Sequence, residues 1–220
     1  HGIGRRQRQM CIRDSLGVDN ILALRGDPMK NESAFVPTEG GNAYALNLIE
    51  QINEMNNGQY LYEETKNSPS NFCIGTAGYP EKHFEAMNLS TDMKHLKKKV
   101  DAGAEFIVTQ LFYDNEKFFD FVKKCREIGI KVPIIPGIKP ITKLRHLSFI
   151  PKFFHVNFPE SFSSELEKCK TDEEIKRVGI EWTTAQCKEL VKADIPVIHF
   201  YTMGSCLLYT SDAADDLYRV

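Results

Sequence analysis

Arg25-Gly26-Asp27 ends a short apolar run, residues 21–24, and is followed by Pro28. A glycine there lets backbone approach a ligand closely, and a carboxylate accepts hydrogen bonds from a polar heterocycle. A turn in which Asp27 bonds its own backbone explains the same residues equally well. Tyr79-Pro80-Glu81-Lys82-His83 follows a second apolar run. Tyr79 can stack on a flat ring and His83 can bond a ribose or phosphate, although a lone loop histidine is more often simply solvated. Lys94, Lys97, Lys98 and Lys99 make one helix face basic, which by itself describes a solvated surface unless a phosphate lies nearby. Asp92, in that helix's first turn, complements the helix dipole without any further role. Gln110 stands apart. It interrupts the otherwise apolar stretch Ile107-Val108-Thr109-Gln110-Leu111-Phe112, where an unsatisfied amide costs about 1–3 kcal/mol. A ligand at a strand end is a natural partner for it. His199 reads as core packing, whereas Tyr201 lies nearer a strand mouth.

The elements that must position these residues alternate between strand and helix. Apolar runs at 21–24, 72–76, 106–112, 132–138 and 196–201 read as buried strands. Ala45, Leu48, Ile49, Ile52 and Met55 recur at helical spacing, and Gly58 stops that helix. Thr91 is read as the cap of a helix bearing Met93, Leu96 and Val100, ended by Gly103. Asp114 caps the stripe Phe118, Phe121, Val122, Cys125 and Ile128, closed by Gly129. Thr171 and Glu174 form a capping box before Ile175, Val178, Trp182 and Ala185. Buried strands joined by long helices imply parallel βαβ units, in either a doubly wound sheet or a (β/α)8 barrel. No G-x-G-x-x-G follows a strand and no G-x-x-x-x-G-K-[ST] occurs, so both phosphate-loop fingerprints are absent. Polar residues instead collect just beyond strand ends, where barrel enzymes place their sites. The reading is an α/β chain forming an incomplete (β/α)8 TIM barrel, about the last five βα units.

The chain has 220 residues, 28 Lys plus Arg against 30 Asp plus Glu, and a formal net charge of −2. That balance disfavours nucleic acid as a partner. No apolar stretch reaches the length of a membrane span. Six scattered cysteines without C-x-x-C support neither a metal site nor a disulfide framework, and read as reduced thiols of a cytoplasmic protein. Residues 1–15, basic and without periodicity, and 205–220, acidic and out of rhythm, are expected to be non-native extensions around a partial catalytic domain at 16–204. Leu207, Leu208 and Tyr209 are accordingly expected to pack poorly.

ALRGDP at 23–28, GYPEKHFEA at 78–86, LKKKVDAGAEFIVTQLFYD at 96–114, IIPGIKPI at 134–141 and HFYTMG at 199–204 together resemble the methylenetetrahydrofolate reductase family. The resemblance implies a (β/α)8 flavoprotein with FAD at the strand C-terminal ends. NADH or NADPH would be the hydride source, and 5,10-methylenetetrahydrofolate would be reduced to 5-methyltetrahydrofolate for methionine synthesis. By the same resemblance Arg25, Gly26 and Asp27 match flavin contacts, and Asp27 also a pterin contact. A carboxylate there would disfavour negative charge on reduced flavin. Tyr44, Ala45, Tyr79, His83, Ala86, Asp92, His95, Lys98 and Lys99 match FAD-lining positions, which gives the basic helix face a pyrophosphate to meet. Gln110 matches the amide that touches nicotinamide and pterin in turn, so Asp27 and Gln110 carry the chemistry. Leu144 and Tyr201 complete the substrate contacts.

The chain departs from the family at Leu144, where bacterial members have a stacking phenylalanine, and at Ser205, where a cation toward the folate tail is expected. The family's first three strands, with the glutamate that acts as general acid, are not matched. The chain as written is therefore expected to have open sheet edges, weak FAD binding and little folate turnover. Two readings from other classes stand beside this one. One is a flavin-free pterin-binding methyltransferase barrel, and the other an inactive fragment. A homo-oligomer is compatible with the resemblance.

Overall fold

The computed structural model describes residues 17–26, 28, 35–60 and 69–202. The expectations for 1–15 and 205–220, including Leu207, Leu208 and Tyr209, fall outside the described residues, as does Asp27.

Five strands are described: β1 (Asn20–Ala23), β2 (Cys73–Gly78), β3 (Phe106–Leu111), β4 (Ile134–Ile138) and β5 (His199–Phe200). They are hydrogen-bonded in the order β1-β2-β3-β4-β5. β1 runs parallel to β2, with Asn20 opposite Cys73, and β4 runs parallel to β5, with Gly137 opposite His199. Each strand neighbours the next in sequence. A doubly wound sheet would reverse its order at a switch point, so this connectivity is that of a barrel-type α/β chain. The helices among the described residues are α1 (Ala45–Asn56), α2 (Leu89–Asp101), α3 (Asn115–Glu127), α4 (His146–Phe154), α5 (Glu160–Leu166) and α6 (Asp172–Lys192).

The signals that start and stop these helices are local. Asp114 accepts from the Glu116 N–H at 3.1 Å, and Thr171 and Glu174 form the reciprocal capping box. Gly58 and Gly129, just past α1 and α3, take φ of 78° and 82°, where a side chain would be strained. Thr91 is not a cap. It lies inside α2, and its N–H donates to the Asn88 side chain at 2.8 Å, so Asn88 caps that helix. Ile128 and Ala185 lie exposed at the edges of their apolar stripes. β5 is two residues long, because only His199 and Phe200 pair with β4. α4 contains Pro151, and α4 and α5 are too short to show a clear period in the sequence.

The chain divides into two compact units. One comprises the described residues up to Ala77 with Lys94–Ile107, and the other comprises Gly78–Met93 with the described residues from Val108 onward. In the first, Ala23, Ile49, Ile52, Phe72, Ile74 and Ala104 form the core. Asn56 there bonds both the Phe72 N–H (2.9 Å) and the Phe72 carbonyl (2.8 Å), as a neighbouring strand would. In the second, Leu111, Tyr113, Ile141, Ile150, Phe162 and Ile175 share a core with Val156 and Leu166. Trp182 stacks on Phe162 at 4.5 Å and donates to the Tyr113 carbonyl at 3.0 Å. Cys125 and Cys187 are buried free thiols. No helix among the described residues is long and apolar enough to cross a membrane.

Gly179 sits mid-helix in α6 despite the roughly 1 kcal/mol that glycine costs there. A Cβ at Gly179 would lie 2.0 Å from the Ile141 carbonyl oxygen, so only glycine lets α6 approach that backbone. Gly179→Ala is expected to destabilise the chain by about 1–3 kcal/mol. Urea unfolding followed by Trp182 fluorescence checks this. An unchanged midpoint would contradict the close approach.

Candidate functional site

The segment after β2 is held by its own backbone and side chains. The Asp92 carboxylate, in the first turn of α2, accepts the His83 backbone N–H at 2.9 Å. His83 Nδ1 accepts from the Glu85 N–H at 3.2 Å. Lys82 takes φ +119°, rare for a side-chain-bearing residue, and its ammonium donates to the Ala86 carbonyl at 2.6 Å. The Tyr79 ring lies edge-on to His83 at 4.6 Å. Three expected site residues, Tyr79, His83 and Ala86, therefore belong to one loop, which a fourth, Asp92, bonds from the first turn of α2.

The strand ends of the same unit supply Gln110 and Tyr201. Leu111 packs into the core shared with Ile150 and Phe162, both helical. By strand alternation its neighbour Gln110 faces the opposite side of the sheet. Gln110 is half-buried, and its side-chain Oε1 accepts the Leu111 N–H at 3.0 Å. Its Nε2 has no hydrogen-bond partner among the described residues. Tyr201 donates its hydroxyl to the Thr109 carbonyl at 2.8 Å, and burial, followed by the nearby Tyr79 phenol, pushes its pKa up to about 12. Thr109 also accepts the Gly137 N–H on its Oγ1 at 2.9 Å. Gly137 is required here, because a Cβ would meet the Thr109 carbonyl at 2.2 Å and the Tyr201 ring at 2.6 Å. Tyr201 thus offers a ring, with its hydroxyl already committed. His199 is exposed, edge-on to Tyr201 at 4.7 Å, and is not a core residue. Leu144 is 38% exposed, and its N–H donates to Asp172 at 2.7 Å.

Lys139 was not singled out by its sequence. It follows β4, is only 6% exposed, and donates to the Tyr201 carbonyl at 3.3 Å, with burial lowering its pKa. A lysine beside a proline gives no sign in sequence of such burial.

The remaining expected residues lie in the first unit. The Arg25 guanidinium sits over the Phe35 ring at 5.5 Å, and a Cβ at Gly26 would touch the same ring at 3.0 Å. The close approach that Gly26 permits is therefore to Phe35. Tyr44 occupies the cap position of α1, 63% exposed, with Ala45 beginning the helix. His95 and Lys98 are exposed on α2, and Lys99 donates to the Ala77 carbonyl at 2.7 Å, at the end of β2.

The family model for methylenetetrahydrofolate reductase matches residues 7–210. The chain belongs to the methylenetetrahydrofolate reductase family. It is 42% identical over 200 residues to methylenetetrahydrofolate reductase (NADH) 1 of Arabidopsis thaliana, a match covering 86% of this chain and 32% of that protein. Identity is 37% over 192 residues to the probable methylenetetrahydrofolate reductase (NADPH) of Caenorhabditis elegans, covering 86% and 27%. The 5,10-methylenetetrahydrofolate reductase of Pectobacterium carotovorum is 32% identical over 191 residues, covering 86% and 57%. The chain thus spans about a third of the plant relative and just over half of the bacterial one. Among solved structures, a Clostridium thermocellum protein described as binding two copies of 5-methyl-5,6,7,8-tetrahydrofolic acid superposes with a TM-score of 0.54 at 19% identity. That match covers 88% of this chain and 67% of that one, and it shows likeness of fold alone.

Between pH 10 and 12 the folded Tyr201 keeps a proton that an unfolded tyrosine, with a pKa near 10, loses. Fewer protons are bound in the unfolded state, so stability falls as pH rises through that window. Tyr201→Phe should remove this part of the alkaline loss and cost about 1 kcal/mol at neutral pH through the lost bond to Thr109. Unfolding midpoints from pH 8 to 11.5 for both proteins check it. Parallel curves would contradict the buried phenol.

Proposed function

We propose that this chain carries the FAD- and folate-binding face of a methylenetetrahydrofolate reductase, within a (β/α)8 architecture. The reaction is NAD(P)H-dependent reduction of 5,10-methylenetetrahydrofolate to 5-methyltetrahydrofolate, in methionine-directed one-carbon metabolism of the cytoplasm. The observation that carries the reading is Gln110. A half-buried amide with its two N–H donors uncommitted, on the sheet face away from the helix-packed core, suits a ring with carbonyl or amide acceptors. Nicotinamide and pterin both present such acceptors.

The donor set of the second unit fits FAD. His83 is a residue type that bonds a ribose or phosphate oxygen, and the Tyr79 ring beside it is one that stacks on a flat ring. Asp92 serves this arrangement indirectly, because its carboxylate is spent on the His83 N–H. Ala86 lends its backbone to the same loop. In the first unit, Arg25, Gly26, Tyr44, Ala45, His95, Lys98 and Lys99 belong to the same proposal, with Asp27 as the carboxylate toward flavin and pterin. Bound FAD would supply hydride exchange between nicotinamide and folate. The chain's part is orientation: Gln110 holds each ring by its amide, while Tyr201 and Leu144 line the substrate side. Alternating use of one amide requires the two substrates to occupy the same place in turn.

The test starts from the purified chain incubated with FAD and freed of excess cofactor. Weakly retained flavin absorbance, bleached anaerobically by NADH or NADPH but restored only slowly by methylenetetrahydrofolate for want of the general acid, is the expected result. Gln110→Ala should slow the folate step by about 10- to 100-fold, the loss of one or two hydrogen bonds. Its melting temperature should stay close to that of the unsubstituted chain. A chain that retains no FAD refutes the reading.

A further inference from the structure

We infer that the turn at residues 155–157, between α4 and α5, clamps the loop carrying Tyr79 and His83, with Glu81, His155 and Asn157 as positioning residues. This rests on the reading of that loop as an FAD contact. All the residues involved belong to the second unit.

The loop has a reason to need holding. Lys82 sits at φ +119°, a conformation that persists in a side-chain-bearing residue only when its surroundings over-determine it. Asp92 fixes the His83 N–H but does not touch the residues before Lys82. Glu81 does that work. One of its carboxylate oxygens accepts the Asn157 backbone N–H at 3.0 Å. The other accepts both the Asn157 amide at 2.6 Å and the Lys117 ammonium at 2.6 Å. The Glu81 side chain is 10% exposed, so these are bonds made with most water excluded.

A second contact comes from the other side of Lys82. Phe84 stacks on His83 at 4.9 Å with 27° between planes, and on His155 at 4.8 Å with 24°. The ring of an expected FAD contact is thereby linked through Phe84 to the turn. The turn itself is anchored between its two gripping residues. Val156 is 4% exposed within the core of Ile150 and Phe162, while His155 ends α4 in the left-handed conformation, φ 54° and ψ 42°. Burying Val156 leaves its neighbours on either side to reach the loop, one through Phe84 and one through Glu81.

A buried carboxylate with three charge-assisted or amide donors is a poor way to gain stability alone, since desolvation offsets much of the attraction. Its distinctive property is directional: two oxygens take three donors from two separate elements, which fixes the loop's position. Glu81→Gln replaces one acceptor oxygen with an amide, which then faces donors from Asn157 or Lys117. Asn157→Ala removes one bond and keeps the Lys117 pair and the backbone bond.

The experiment uses the full chain with FAD as probe. It reads the FAD dissociation constant, the visible absorption of bound flavin, and the melting temperature without FAD. Glu81→Gln should weaken FAD binding at least tenfold and shift the flavin band, with the FAD-free melting temperature nearly unchanged. Asn157→Ala should move both flavin readouts in the same direction, by about threefold in affinity. Unchanged FAD affinity in either variant overturns the clamp while leaving the FAD reading intact. Affinity lost only in step with a drop in melting temperature also overturns it, as a merely structural role would behave so. No FAD binding by the unsubstituted chain refutes the proposed function and the clamp with it.

Discussion

Parallel pairing sets the terms for everything else in this chain. Neighbouring parallel strands end on the same side of their sheet, so each must return through a helix before the next begins. The segments leaving the strands are then free of the ladder, and polar side chains gather there without disturbing the buried runs. Tyr79 and His83 follow β2, Lys139 follows β4, and Tyr201 follows β5. Gln110 is the exception within a strand, one residue from the end of β3. Its cost is limited because its side-chain amide oxygen Oε1 accepts the adjacent Leu111 N–H.

Much of this was legible in the sequence, for physical reasons that differ by element. The stripes of α1 and α3 are regular because each buries one face, and Asp114 and Thr171 mark helix starts through bonds made within three residues. Thr91 misled because hydroxyl residues look alike at a helix start, while Asn88, three residues earlier, makes the bond. α4 was illegible: Pro151 reads as a breaker, and Phe149 stacks on Phe153 while Phe154 meets both edge-on, at spacings too close to reveal one face.

The site follows the same rule. His83 and Asp92, nine residues apart, were grouped only by the family resemblance, since the residues alone read as a solvated histidine and a carboxylate on a helix dipole. Glu81 could not be grouped with its partner, because Asn157 lies 76 residues away and a loop glutamate otherwise reads as solvated. The commitment of the Tyr201 hydroxyl to Thr109, 92 residues earlier, was hidden for the same reason. What sequence pattern encodes well is the local half of each interaction.

Thr109 joins three strands through two of its atoms. Its hydroxyl oxygen takes the Gly137 N–H on β4, its carbonyl takes the Tyr201 phenol just past β5, and it belongs to β3 itself. Such a cross-brace makes local opening expensive, because freeing any one strand end leaves a buried polar group on another without a partner. These three strand ends should therefore exchange their amide protons as a single cooperative unit. Gln110, next to the brace, inherits that stiffness: its uncommitted amide is held on a part of the sheet that does not breathe one strand at a time.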